Sequence, residues 1–289
     1  MSRLGCWELT QCVYEGPWSR VFRARPTSRS GQGPADYAVK LAVSDEGSQV
    51  AAGMLQRAAW LGQQFAHPHL TPVLDTHLDR PPFYFVMPFH EGATLRSRLW
   101  ERDGKLELPR AFWIARQVAE ALAALHECGW SHGDIKPENV QIDDAGHATV
   151  LDLGMACQVS RKSSAAAPQP ELEWRRISGW QGTPSYAAPE TFSDDAVPTL
   201  ASDLFSLGVT LFEMVTGSVP FREETPERLI EAIRQQPLPE PRRFRPDLTP
   251  AAVRLLHDLL ARQPVRRPTA CETADRLREI EIECFGEWV

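Results

Sequence analysis

Asp134, Lys136 and Asn139 stand at a spacing that suits transfer of a phosphoryl group. They lie in the run Ser131-His132-Gly133-Asp134-Ile135-Lys136-Pro137-Glu138-Asn139-Val140. An aspartate that orients a hydroxyl, a lysine that neutralises a terminal phosphate and an asparagine carbonyl that holds Mg²⁺ must converge on one reacting centre. One short loop achieves that. A lone His-x-Asp is a weak signal, since it arises by chance in many loops. Here three further stretches follow in order: Leu151-Asp152-Leu153-Gly154, Gly182-Thr183-Pro184-Ser185-Tyr186-Ala187-Ala188-Pro189-Glu190, and Asp203-Leu204-Phe205-Ser206-Leu207-Gly208. The bland reading of Asp134 and Asp152, a loop cap or turn, does not explain that order.

The elements that must position these residues change character along the chain. From Trp7 to about Phe89 the sequence reads as strands around one helix: Val21 to Arg25, Tyr37 to Val43 and Phe83 to Met87 are rich in β-formers, and Val50 to Gln64 is rich in Ala, Leu and Gln. In Tyr37-Ala38-Val39-Lys40-Leu41 the two-residue repeat of a strand puts Ala38 and Lys40 on one face and Val39 and Leu41 on the other. Beyond Gly92 helices take over. Pro109 opens a helix whose stripe of Ile114, Val118, Ala121, Leu122 and Leu125 ends at Gly129 and delivers the chain to the Asp134 loop. Leu204 to Val215 is apolar almost all round, as a helix buried inside a helical unit must be. Ser160 to Pro170, rich in Ser, Ala and Pro, is expected to be mobile.

A chain of 289 residues with 43% hydrophobic composition can bury a full core; it suffices for two lobes and is short for two independent domains. Its net charge of -7 argues against a nucleic-acid surface, where clustered Lys and Arg are needed, and points to protein partners. Six cysteines without C-x-x-C or metal-ligand spacing read as reduced, mostly structural thiols, which fits the cytoplasm. No secretory signal is visible, and the most apolar stretch, Leu204 to Val215, carries Glu213 and is too short to span a bilayer.

Taken together, these motifs resemble the eukaryotic-like Ser/Thr protein kinases from about Gln11 to Thr269. The resemblance implies an α+β, two-lobe kinase fold over residues 7–285, with a small β-rich lobe at about 7–89 and a larger helical lobe at about 92–285. It implies ATP and Mg²⁺ as cofactors and a protein substrate with Ser or Thr acceptors. Lys40 would contact the α- and β-phosphates, Asp134 would act as base or hydroxyl-orienting group, and Lys136 would neutralise the γ-phosphate. Asn139 and Asp152 would hold Mg²⁺. Val13, Gly16, Val21, Ala38, Met87, Pro88, His90 and Gln141 would join Lys40 in lining the nucleotide site. Pro88 would offer its C=O to the adenine and His90 its N–H, with Met87 at the gate to the back pocket. Thr183 would bond Asp134 and Lys136, Glu190 would pair with Arg267, and Asp203 would accept backbone N–H groups of the catalytic loop.

Four departures qualify the resemblance. The phosphate-covering loop keeps one glycine, Gly16, of the family's three, in Tyr14-Glu15-Gly16-Pro17-Trp18-Ser19-Arg20-Val21. The helix glutamate that should pair with Lys40 falls on Ala58, and its neighbours Gln56, Arg57 and Ala59 cannot supply the charge; Glu46 is the first alternative. Gly133 replaces the arginine that commonly reads a phosphate on the activation segment, which makes phosphate-dependent switching unexpected. Gln141 stands where an apolar residue usually packs beneath adenine. A pseudokinase scaffold that binds nucleotide weakly or not at all is therefore the alternative to an active enzyme. A small-molecule phosphotransferase is disfavoured by the segment from Gly182 to Glu190. Autophosphorylation is expected at Ser160, Ser163, Ser164 or Ser178.

Overall fold

The computed structural model describes residues 2–29, 33–43, 48–101, 104–159, 184–192 and 198–286. They fall into two compact units. One comprises residues up to Glu91 together with Asp152–Met155; the other comprises Gly92–Leu151 and the remaining described residues from Ala156 onward.

The first unit is an antiparallel sheet with one long helix. Its strands are β1 (Ser2–Leu4), β2 (Trp7–Glu15), β3 (Ser19–Pro26), β4 (Tyr37–Ala42), β5 (Asp75–His77) and β6 (Tyr84–Pro88), in the order β1-β2-β3-β4-β6-β5. One face carries an apolar core of Trp7, Leu9, Ala24, Val39, Tyr84 and Val86, extended by Leu4, Phe22, Tyr37 and Leu41. Alternation along β4 turns Ala38 and Lys40 to the other face, as the sequence predicts, and both are buried. Cross-strand register puts Met87 opposite Ala38, and Val21 and Phe85 opposite Lys40. Helix α1 (Ser48–Gln64) buries Ala51, Ala52, Leu55, Ala58, Ala59 and Leu61. It packs on β4 and on the turn Leu153–Met155, and that packing brings a distant stretch of chain into this unit. Strands β1 and β5 lack a sequence signature because three residues are too few for an alternation to show.

The second unit is helical. After β7 (Ala93–Thr94) and α2 (Leu95–Trp100) comes α3 (Leu108–Glu127), in which Ile114, Val118, Ala121, Leu122 and Leu125 are all buried. Strand β7 pairs with β9 (Val140–Ile142), which pairs with β10 (Ala148–Val150), while β8 (Trp130–Ser131) pairs with β11 (Cys157–Gln158). Helix α4 (Leu200–Thr216) starts at a reciprocal cap between Thr199 and Ser202 and stops at Gly217, whose φ of 85° suits glycine. Its stretch from Leu204 to Val215 is buried except at half-buried Ser206, which matches the all-round apolar pattern. Helices α5 (Pro226–Gln235), α6 (Pro250–Leu259) and α7 (Ala270–Gly286) complete the unit, with α3 packed against α4 and α7.

The cysteines depart from expectation. No disulfide forms, as expected of reduced thiols, but Cys6, Cys12, Cys128 and Cys271 are exposed rather than built into the core; Cys284 alone of the six is buried. Their spacing carried no information about depth. The stretch from Ser160 to Pro170, with Thr183 and the candidate acceptor serines, lies outside the described residues.

Candidate active site

In the helical unit the loop after β8 is built around Asp203. Its carboxylate, 1% exposed, accepts the backbone N–H groups of His132 at 2.8 Å and Gly133 at 2.9 Å, and bonds His126 Nε2 at 2.9 Å. His132 Nε2 reaches Leu151 O at 3.1 Å and its Nδ1 accepts from the Asp134 N–H at 3.3 Å. Gly133 holds φ at 78°, a conformation costly for residues with a Cβ. The backbone is therefore fixed on both sides just before Asp134.

Three sequence-derived site residues meet here. Lys136 Nζ donates to both Asp134 carboxylate oxygens, at 2.9 and 2.8 Å. Asn139 Nδ2 donates to Asp134 O and Oδ2, each at 2.8 Å. Held by donors from both sides, the Asp134 carboxylate has a fixed orientation, which suits it to orienting an acceptor hydroxyl. With Nδ2 directed at Asp134, the Asn139 amide has its carbonyl oxygen to offer a hard cation. Gln141 is half-buried in β9, opposite Thr94 and Thr149.

The sheet unit holds the second group. Lys40 Nζ lies 2.6 Å from Asp152 Oδ1. The same oxygen accepts the Gly154 N–H at 3.1 Å. Asp152 has φ of 63°, a left-handed conformation that a side chain makes unfavourable and that is tolerated where surroundings over-determine it. Helix α1 contributes at that turn. Arg57, 5% exposed, sends Nη1 to Gly154 O at 3.4 Å, while Ala58 is 4% exposed. The absent helix glutamate is thus matched by a direct Lys40–Asp152 pair and by an arginine on the preceding helical residue. Glu46 lies outside the described residues. Arg57 escaped sequence reading as a site residue, although a single charge in the apolar run from Val50 to Leu61 was a signal.

Of the expected nucleotide-lining residues, Ala38, Met87 and Val21 share the Lys40 face by register. Val13 sits at the irregularity between Cys12 and Tyr14 and is exposed. Pro88 ends β6. Beyond it the Phe89 N–H donates to Asp36 O at 2.8 Å, and the His90 ring bonds Thr71 Oγ1 at 3.3 Å. Arg23, unforeseen, clamps this segment. Its guanidinium stacks 4.1 Å from the Phe89 ring centroid, pairs with Glu91 and donates to Ala35 O at 2.7 Å.

Two partly buried ion pairs brace the helical unit. Arg267 forks onto Glu190 at 2.6 and 2.8 Å, as the motifs imply. Arg96 bonds Glu213 at 2.7 Å, Glu138 at 2.8 Å and the Tyr186 hydroxyl. Burial, assisted by the neighbouring Glu213, raises the Tyr186 phenol far above its usual range and keeps it a neutral donor.

The oxygen donors that each unit offers are of the hard type that suits Mg²⁺. Among the described residues no three His, Cys, Asp or Glu side chains gather into a protein-only metal cage. Asp152 in the sheet unit carries a carboxylate and Asn139 in the helical unit an amide carbonyl, each a hard oxygen donor of the kind Mg²⁺ takes when phosphate oxygens supply the rest.

Two units of this kind, one a β-sheet with a single helix and one helical with a His-x-Asp loop, define a protein kinase domain, and residues 8–276 match that family; the chain belongs to it. It is 32% identical over 269 residues to the serine/threonine-protein kinase PknD of Mycobacterium tuberculosis (strain ATCC 25618 / H37Rv), covering 92% of this chain and 38% of that protein. PknH of Mycobacterium bovis is 30% identical over 267 residues, covering 92% of this chain and 42% of the relative. PknK of the same organism is 31% identical over 251 residues, covering 84% and 21% respectively. The chain therefore spans well under half the length of these relatives.

Proposed function

We propose that this chain is an ATP- and Mg²⁺-dependent serine/threonine protein kinase that transfers the γ-phosphoryl group to hydroxyls of protein substrates in cytoplasmic signalling. Its catalytic domain extends over residues 7–285. Lys40 and Asp152 take the phosphates and the metal, Asn139 supplies the second metal oxygen, Asp134 orients the acceptor hydroxyl and Lys136 neutralises the transferring group. When bound, Mg²⁺ supplies charge neutralisation at the phosphates. The residues' own contribution is positioning and electrostatics, which phosphoryl transfer chiefly requires.

The observation that carries this reading is the convergence of Lys136 and Asn139 on the Asp134 carboxylate. A scaffold has no need to hold a carboxylate, an ammonium and an amide in that geometry. Among the described residues no helix is long and apolar enough to cross a membrane.

Incubation of the pure protein with labelled ATP, Mg²⁺ and a generic Ser/Thr substrate tests the proposal. Label should transfer with the parent and not with Asp134→Asn. A folded parent that transfers no label would make the chain a scaffold.

A further inference from the structure

We propose that the phenol of Tyr14 contacts the phosphates of the bound nucleotide, supplying from a side chain a donor that the family's loop supplies from glycine backbone. The inference rests on reading the Lys40 face of the sheet as the nucleotide face.

Tyr14, Val21, Lys40 and Phe85 are successive cross-strand partners on β2, β3, β4 and β6, so their side chains share one face. The opposite face is occupied by the Phe22, Val39 and Val86 core. Tyr14 and Lys40 are two strand spacings apart, roughly 9.5 Å, a gap that two long side chains on that face straddle. Tyr14 is 54% exposed.

Its ring does not point idly outward. A Cβ added to Gly16 would stand 2.3 Å from the Tyr14 hydroxyl oxygen and 2.7 Å from Cζ. The phenol therefore lies over the tip of the loop, against the Gly16 backbone. Gly16 lacks the positive φ of Gly133 or Gly217, so glycine serves there by leaving room for the ring. The loop's own donors are depleted: the Gly16 N–H is engaged with Ser19 O at 3.0 Å, and Pro17 has none. A hydroxyl held at that tip replaces a donor where backbone N–H groups have been lost.

Calorimetric titration of the purified protein with Mg-ATP, and separately with adenosine, tests this. Tyr14→Phe should weaken Mg-ATP binding about three- to tenfold, the range of an ordinary hydrogen bond, because a phosphate that stays partly hydrated recovers part of the loss from water, and leave adenosine binding unchanged. Gly16→Ala should displace the ring and weaken Mg-ATP similarly, but have little further effect in a Tyr14→Gly background. Equal Mg-ATP affinity in parent and Tyr14→Phe would overturn the proposal while leaving the nucleotide reading intact. So would tighter binding by Tyr14→Gly, which would mean that the ring screens the loop. A folded parent that binds neither ligand would overturn both readings.

Discussion

Lys40 Nζ sits 2.6 Å from the carboxylate of Asp152, so the strand lysine and the aspartate preceding the Leu153–Met155 turn neutralise each other without a helix glutamate between them. The pair is asymmetric: the Lys40 side chain is 11% exposed and that of Asp152 35%. Water therefore screens it, and its contribution to stability is about 1 kcal/mol or less. Its value is geometric, since it holds Asp152 in a strained conformation at the turn that α1 packs against.

Asp152→Asn should accordingly reduce phosphoryl transfer by at least about a hundredfold, the scale of losing one preorganised electrostatic group, with a melting temperature close to that of the parent. Lys40→Met should behave alike. Label transfer and thermal melting measured on the same preparations check both, and undiminished turnover in Asp152→Asn would remove that residue from the mechanism.

Ala58→Glu introduces a carboxylate at a site that is 4% exposed, on the helix that packs on β4, whose Lys40 is already paired with Asp152. Overpacking and competition with Asp152 oppose any gain in ordering Lys40. Expected is destabilisation of about 1–3 kcal/mol together with reduced kcat/KM for ATP, measured by denaturant titration and steady-state kinetics. A several-fold rise in kcat/KM that vanishes in a Lys40→Met background would mean instead that the helix position accepts the family's ion pair.

Asp203→Ala orphans the N–H groups of His132 and Gly133, each costing about 1–3 kcal/mol when buried without a partner. Because both donors immediately precede Asp134, transfer should fall more than the loss of folded protein explains. Chemical denaturation beside activity per folded molecule separates the two effects. Parental activity per folded molecule would show that the loop keeps its shape unaided.

Simultaneous Ala substitution of Ser160, Ser163, Ser164 and Ser178 should leave peptide phosphorylation within a few-fold of the parent. Gly133 has no side chain with which to read a phosphate, and its N–H is committed to Asp203 at 2.9 Å. Mass spectrometry should locate autophosphorylation in the parent at these serines. Near-complete loss of activity in the fourfold variant would point to another basic group as the reader.

Much of the fold was legible in local pattern. The stripe from Ile114 to Leu125, the apolar helix from Leu204 to Val215 and the alternation at Ala38, Val39 and Lys40 each express a period that burial imposes on neighbours in sequence. The loop around Asp134 was legible too, because Asp134, Lys136 and Asn139 lie within one turn of chain and their contacts are local. So were Glu190 and Arg267, though only through the resemblance, since no local period links residues so far apart.

What sequence by itself determined is thus the set of chemical groups, their order and the faces on which the regular elements present them. Tertiary structure decided which groups touch. It paired Lys40 with Asp152, brought Arg57 to the Gly154 carbonyl, set Arg96 between Glu138, Glu213 and Tyr186, and laid Tyr14 over Gly16. Such pairs depend on how α1 packs on a distant turn and on how much room a missing Cβ leaves. Those quantities arise from close packing in three dimensions and leave no periodic trace along the chain.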